Sequence, residues 1–278
     1  MATTHASPSS PPAVQVDGLV AEYDGHAVLD RVSMRAHQGE ITVVLGESGC
    51  GKTTLLRHIV GLLTPKAGQV FINGRNLHAA GEEERERILR DIGMSFQGGA
   101  LFSSLTLEEN IALPIIEHTQ VDRETATLLA RMKLCVVGLE HAAQLLPAEL
   151  SGGMKKRAAV ARALALDPGL LLFDELSAGL DPVTARELDE LILRLKEHLG
   201  MTIVIVTHEL GSIQMIADRA VMLDAGRVLA TGPLEEVRQT DHPKIQAFFD
   251  RRPRARTLHG DLRDSLIVNG ERYGTGSG

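Results

Sequence analysis

Two spacings of apolar residues alternate along this chain. Ile41–Leu45, Leu170–Phe173 and Ile203–Val206 are short, nearly continuous apolar runs, as expected of strands buried on both faces of a parallel sheet. Between the last two, Leu188, Leu191, Ile192, Leu195 and Leu199 recur at helical spacing; Asp181 stands as cap, Pro182 in the first turn and Gly200 as the stop. Leu55–Val60 reads as a helix that Thr64-Pro65 and Gly68 end. Val14–Ala36 alternates apolar and polar residues around Asp24-Gly25, predicting short antiparallel strands, and Gln69–Ile72 runs into an Asn73-Gly74 hairpin turn. Val221–Asp224 and Arg227–Ala230 predict a final hairpin. Glu82–Arg90 is a stretch of helix formers with a solvated face. Between Gly98 and Gly152 strand signal fades. There Thr106 and Glu109 have capping-box spacing, and Asp122 starts a helix towards Cys135. The pattern predicts an α/β chain with a mainly parallel sheet, an N-terminal antiparallel β subdomain, and an inserted α-helical subdomain at about 98–158 of the kind that contacts a partner.

Composition narrows this picture. At 278 residues, the chain has room for one large α/β domain with insertions, or two smaller ones. A net charge of −7 argues against nucleic acid or a broad anionic membrane surface as partner. Cys50 and Cys135 cannot make a disulfide framework and suit a reducing compartment, the cytoplasm. No apolar stretch approaches the ~18 residues of a membrane span. Residues 1–12, rich in Ser, Pro and Thr, read as a disordered lead with no secretory-signal pattern.

The candidate chemistry starts where Ile41–Leu45 meets Leu55–Val60. Between them lies Gly46-Glu47-Ser48-Gly49-Cys50-Gly51-Lys52-Thr53-Thr54, a P-loop with a strand in front and a helix behind. Glycines let backbone N–H groups close round a phosphate, and the helix start directs its positive end there. Lys52 supplies charge for the β- and γ-phosphates, the Thr53 hydroxyl a ligand for Mg²⁺, and Cys50 only its backbone N–H. The P-loop does not recur, so one nucleotide site is expected.

A second cluster follows. The strand Leu170–Phe173 ends in Asp174-Glu175, where Asp174 can hold Mg²⁺ or its water and Glu175 can accept a proton from an attacking water. A solvated acidic turn is the plainer alternative. Ser151, Gly152 and Gly153 precede a predicted helix Lys155–Ala163, giving a second anion-binding helix start. His208 ends an apolar strand, where a core histidine is the commoner reading. Tyr23 is one of two tyrosines, with a half-buried strand position as its alternative.

In this order the residues resemble the ATP-binding subunits of ABC transporters, from Val14 to about Arg252. The resemblance implies a P-loop NTPase core of the RecA-like type, with ATP and Mg²⁺ as cofactors. It casts Tyr23 as the adenine-stacking aromatic, Gly46–Thr54 as Walker A, and Gln97 as the Q-loop glutamine that reaches metal and water. Leu150–Gly153 becomes the signature, Phe173–Glu175 Walker B, Ala178–Asp181 the D-loop and His208 the switch histidine. It further implies a head-to-tail dimer, in which Ser151, Gly152 and Gly153 of one copy cap ATP held at Lys52 of the other. Met154 replaces the family's common glutamine. Leu176 replaces proline, which is expected to loosen Glu175. No catalytic group is missing, so an active, slower ATPase is expected.

Phe96–Phe102, Glu117–Gln120, Met132–Leu134, Leu150–Met154 and His242–Phe249 together resemble the Mla-type phospholipid-transport ATPases of MCE lipid-shuttle systems. That likeness implies an integral membrane permease, an MCE-type lipid-binding protein and a small accessory subunit as partners, at the cytoplasmic face of the inner membrane. The alternative is the ATPase of a small-solute importer, such as one for an amino acid. The expected ATPase domain spans 13–245 and a partly disordered extension 246–278. Arg251, Arg252, Arg254 and Arg256 there read as a plain basic tail or as a contact for lipid headgroups.

Overall fold

A computed structural model describes residues 11–250, apart from Asp24, Gln97, Gly99 and Ala100, and includes the backbone of Tyr23. The chain opens with β1 (Val14–Tyr23), β2 (His26–Ala36), β3 (Ile41–Gly46) and α1 (Lys52–Ile59). Next come β4 (Ala67–Ile72), β5 (Arg75–Asn76), α2 (Glu82–Arg90) and β6 (Ile92–Ser95). A helical stretch holds α3 (Leu107–His118), α4 (Arg123–Val136) and α5 (Gly152–Ala163). The α/β pattern resumes with β7 (Leu170–Asp174), α6 (Pro182–Leu199), β8 (Thr202–Val206) and α7 (Leu210–Ile216). It closes with β9 (Arg219–Asp224), β10 (Arg227–Pro233), α8 (Leu234–Gln239) and α9 (Pro243–Phe249).

The antiparallel sheet has order β2-β1-β4-β5, and the larger sheet β10-β9-β3-β8-β7-β6, parallel except for β10. The apolar runs of the central strands follow from burial on both faces. Ile41, Val43, Leu171, Phe173, Ile203 and Ile205 point into one core, while Val44, Leu170, Leu172, Val204 and Val206 point into another. The second core lies under the antiparallel sheet and α1. Truncating a fully buried member such as Phe173 removes about 3–5 kcal/mol.

Local signals act as their chemistry requires. Asn73 and Gly74 both take positive φ, 49° and 77°, and join β4 to β5 as a two-residue hairpin. Thr106 and Glu109 complete the capping box of α3. The Asp181 carboxylate accepts from the N–H groups of Val183 and Thr184, and Gly200 ends α6 at φ 63°.

Four expectations need correction. β1 and β2 are not short but span 10 and 11 residues; register shifts in their pairing interrupt the alternation that would have revealed their length. The expected limit at 158 falls inside α5, so the helical stretch ends at Ala163. The expected limit at 245 falls inside α9, whose Ile245 is fully buried and whose Phe248 and Phe249 pack on the main core. Leu199, read as the last apolar position on the same side of α6 as Leu188 to Leu195, is 54% exposed in its final turn. The basic tail at 251–256 lies outside the described residues.

Candidate active site

Strand register gathers the candidate residues. Val206 of β8 pairs with Val44 of β3 on one side and with Asp174 of β7 on the other. Three neighbouring parallel strands therefore end in one row, and the P-loop, Asp174-Glu175 and His208 emerge beside one another. The P-loop residues other than Cys50 line one cavity of about 630 Å³ together with Glu175 and His208. Val28 of β2 and Phe248 of α9 complete its wall.

The loop needs its glycines for two separable reasons. Gly46 (φ 150°) passes so close to the β9–β10 hairpin that a Cβ would stand 2.3 Å from the Leu223 carbonyl oxygen. Gly51 (φ 104°) would bring one to 2.5 Å from the Leu29 side chain. Gly51 is also the N-cap of α1 and offers no side-chain acceptor, leaving the first N–H groups of that helix for an anion. The Lys52 ammonium donates to the carbonyls of Gly46 and Glu47, both at 2.9 Å, and so spans the loop. The Cys50 N–H is engaged inside the loop, donating to the Glu47 carbonyl at 3.2 Å, and burial pushes the thiol up from its ordinary pKa.

Thr53 donates its hydroxyl to the Asp174 carboxylate at 3.3 Å. Burial raises the Asp174 pKa, and the Thr53 hydrogen bond opposes that shift. A hydroxyl and a carboxylate this close suit Mg²⁺, which takes one or two protein oxygens and fills its octahedron with water and phosphate.

Glu175 is fixed more tightly than its position at a strand end suggested. Its backbone is in the left-handed region (φ 52°), a conformation that costs a non-glycine residue about 1–3 kcal/mol. Its N–H donates to the Val206 carbonyl at 2.8 Å, and its Oε1 lies 2.8 Å from His208 Nδ1. Oε2 is buried with no hydrogen-bond partner among the described residues. Leu176, where the resemblance expects proline, is 5% exposed and packs in the main core, so burial stands where a ring restraint would be.

Ser151 to Gly153 sit apart from this cavity, at the start of α5. The Ser151 Oγ accepts from the Met154 N–H at 3.2 Å, keeping its own hydroxyl hydrogen for another acceptor. Gly153 faces α6, where a Cβ would meet Thr184 at 2.5 Å. Its smallness therefore serves helix packing within the chain. Gln97 and the Tyr23 side chain lie outside the described residues. Val28 and Phe248 were not singled out from sequence. Phe248 fell within the segment His242–Phe249, read only for its likeness, and no local pattern marks Val28.

Comparison with known proteins gives the family and the fold. A family described as "ABC transporter" matches residues 29–178. The "Intermembrane phospholipid transport system ATP-binding protein MlaF" of Escherichia coli (strain K12) is 40% identical over 223 residues, 80% of this chain and 83% of that protein. The "Methionine import ATP-binding protein MetN" of Mesorhizobium japonicum is 41% identical over 235 residues, 84% of this chain and 64% of that protein. Among solved structures, the dimeric post-hydrolysis state of the ATP-binding cassette MJ0796, bound to ADP and Pi, superposes with a TM-score of 0.73. It is 32% identical, and the match covers 80% of this chain and 98% of that one.

Proposed function

Since the chain belongs to the ABC transporter ATP-binding subunits and is an ATPase, we propose that it energises phospholipid transport through a membrane permease by ATP-driven closure of its own dimer. One observation carries the dimer: the cavity holds P-loop, Glu175 and His208 but not Ser151–Gly153, which lie at a separate helix start. A second copy, placed head to tail, brings the missing helix start over the phosphates. The cassette solved as a dimer with ADP and Pi supports a dimeric assembly.

ATP entering the cavity replaces the two carbonyls now held by Lys52, whose ammonium turns to the β- and γ-phosphates. The free N–H groups at the start of α1 take the phosphate oxygens. The Thr53 hydroxyl and Asp174, with Gln97 as the resemblance implies, would hold Mg²⁺, which would supply charge to neutralise the phosphates. Glu175 Oε2, buried and unpartnered among the described residues, accepts the proton of the attacking water. His208 steadies the carboxylate through Oε1. A carboxylate only accepts, so Nδ1 carries hydrogen, and Nε2 can donate to the γ-phosphate only from the imidazolium. Closure holds ATP between two subunits; hydrolysis removes the γ-phosphate bridge and lets them part. The resemblance gives Tyr23 the role of stacking on adenine.

The lipid cargo is supported by 40% identity across 83% of a phospholipid-transport relative, and by the segments of Mla-type character. On this reading the partners are a permease, an MCE-type protein and a small accessory subunit at the cytoplasmic face of the inner membrane. A second reading, import of a small solute, is favoured by 41% identity to the methionine-import protein. Purification of the tagged chain from membranes distinguishes the two. Co-purification of a multi-span permease with an MCE-domain protein and bound phospholipid is expected. A solute-binding protein in their place would overturn the lipid reading.

A further inference from the structure

Lys156 lies outside the family roles assigned above, yet it is the described side chain that joins α5 to the catalytic carboxylate's own residue. Its ammonium donates to the Glu175 carbonyl oxygen at 3.4 Å. Lys156 is half-buried; burial pulls its pKa down, while the Glu175 charge pushes it back up. An ammonium drawn partly out of water and donating to this carbonyl can help hold it in place.

Glu175 is the residue most in need of such a tether. It occupies a strained left-handed conformation at the end of β7, and its N–H is held by Val206. Among the described residues, its side chain is held by His208 at Oε1. The remaining backbone group, the carbonyl, sets the rotation of the peptide that follows. The Ala178 N–H donates to that carbonyl at 3.2 Å within the turn, and Lys156 is its second donor, the one that comes from α5. The same helix starts at Ser151, and its first turn is packed on the segment after Glu175: Gly152 against Leu180 and Gly153 against Thr184.

We propose that Lys156 is a positioning residue for hydrolysis: it ties the helix that caps the partner's ATP to the backbone of its own chain's Glu175. When the partner's nucleotide draws in Ser151, α5 moves as a unit and Lys156 tightens its long hydrogen bond, setting Oε2 for the water. Each protomer's base is thereby set by the ATP that its partner holds. This inference rests on the hydrolytic role of Glu175 proposed above.

The test uses the full chain. Lys156→Met keeps the stem and removes the donor; it is expected to lower kcat for ATP about ten- to a hundredfold, the scale of a displaced catalytic group, with KM changed by less than about twofold. Lys156→Arg, which can still donate, is expected to recover most of the rate. In a Glu175→Gln background, Lys156→Met is expected to leave ATP-dependent dimerisation intact, because the tether acts on the base and not on the clamp. If Lys156→Met does not fold, Lys156→Ser carries the same three expectations. A wild-type kcat in a folded donor-free variant, or loss of the ATP-dependent dimer in the double variant, would overturn the proposal. An inactive wild-type chain would instead remove the hydrolytic reading on which it stands.

Discussion

Asp189 offers a test of the physical reasoning that is independent of nucleotide. It sits on α6, 7% exposed, in the wall of a second cavity that shares His208 and Phe248 with the P-loop cavity. Burial pushes its pKa from 3.8 to about 6; the Ser212 hydroxyl opposes the shift and the Glu209 charge adds to it. The sign follows from proton counting. Between 3.8 and about 6 the folded state binds more protons than the unfolded state, so stability falls as pH rises through that window and the full penalty stands above it. A shift of this size corresponds to about 3 kcal/mol at pH 7.5, about 1.6 at pH 5 and almost nothing near pH 3. Asp189→Asn removes the titration while keeping the shape. It should therefore stabilise the chain by up to about 3 kcal/mol at pH 7.5, and by roughly half that at pH 5. Urea unfolding of both proteins at the two pH values measures the difference directly. An equal gain at both, or a loss at pH 7.5, would refute the account of Asp189 as a carboxyl held against its own desolvation.

Two further expectations concern binding and local stability. Lys52→Ala should weaken ATP binding at least about a hundredfold by calorimetric titration, since a charge-assisted bond to phosphate is worth about 3 kcal/mol; unchanged affinity would undo the P-loop assignment. Thr106→Ala should cost about 1 kcal/mol in chemical unfolding through loss of the α3 cap, and an unchanged midpoint would show that packing alone holds that helix.

Much of the fold was legible because its signals are local. The buried strands announce themselves as unbroken apolar runs, and Asp181-Pro182 and Gly200 bracket α6 with capping chemistry. The P-loop was legible because a strand, glycines and a helix start must follow one another in the chain. What stayed hidden depends on tertiary placement. The register shifts of β1 and β2 disguise two long strands as short ones. Val28 and Phe248 reach the cavity from β2 and from α9, and nothing nearby in sequence marks either. Leu176 was read by the proline it replaces, whereas its burial is decided by a core assembled from distant segments. Gly153 was read as part of an anion-binding helix start, and only the fold reveals Thr184 against it.

On the proposed mechanism each ATP is held between two copies of this chain. A structure of Glu175→Gln with Mg²⁺ and ATP tests it most directly. The predicted result is a head-to-tail dimer with Lys52 of one protomer on the β- and γ-phosphates and Ser151 of the other within hydrogen-bond reach of the γ-phosphate. Triphosphate bound at Lys52 with Ser151 of every neighbouring copy far from it would contradict the claim.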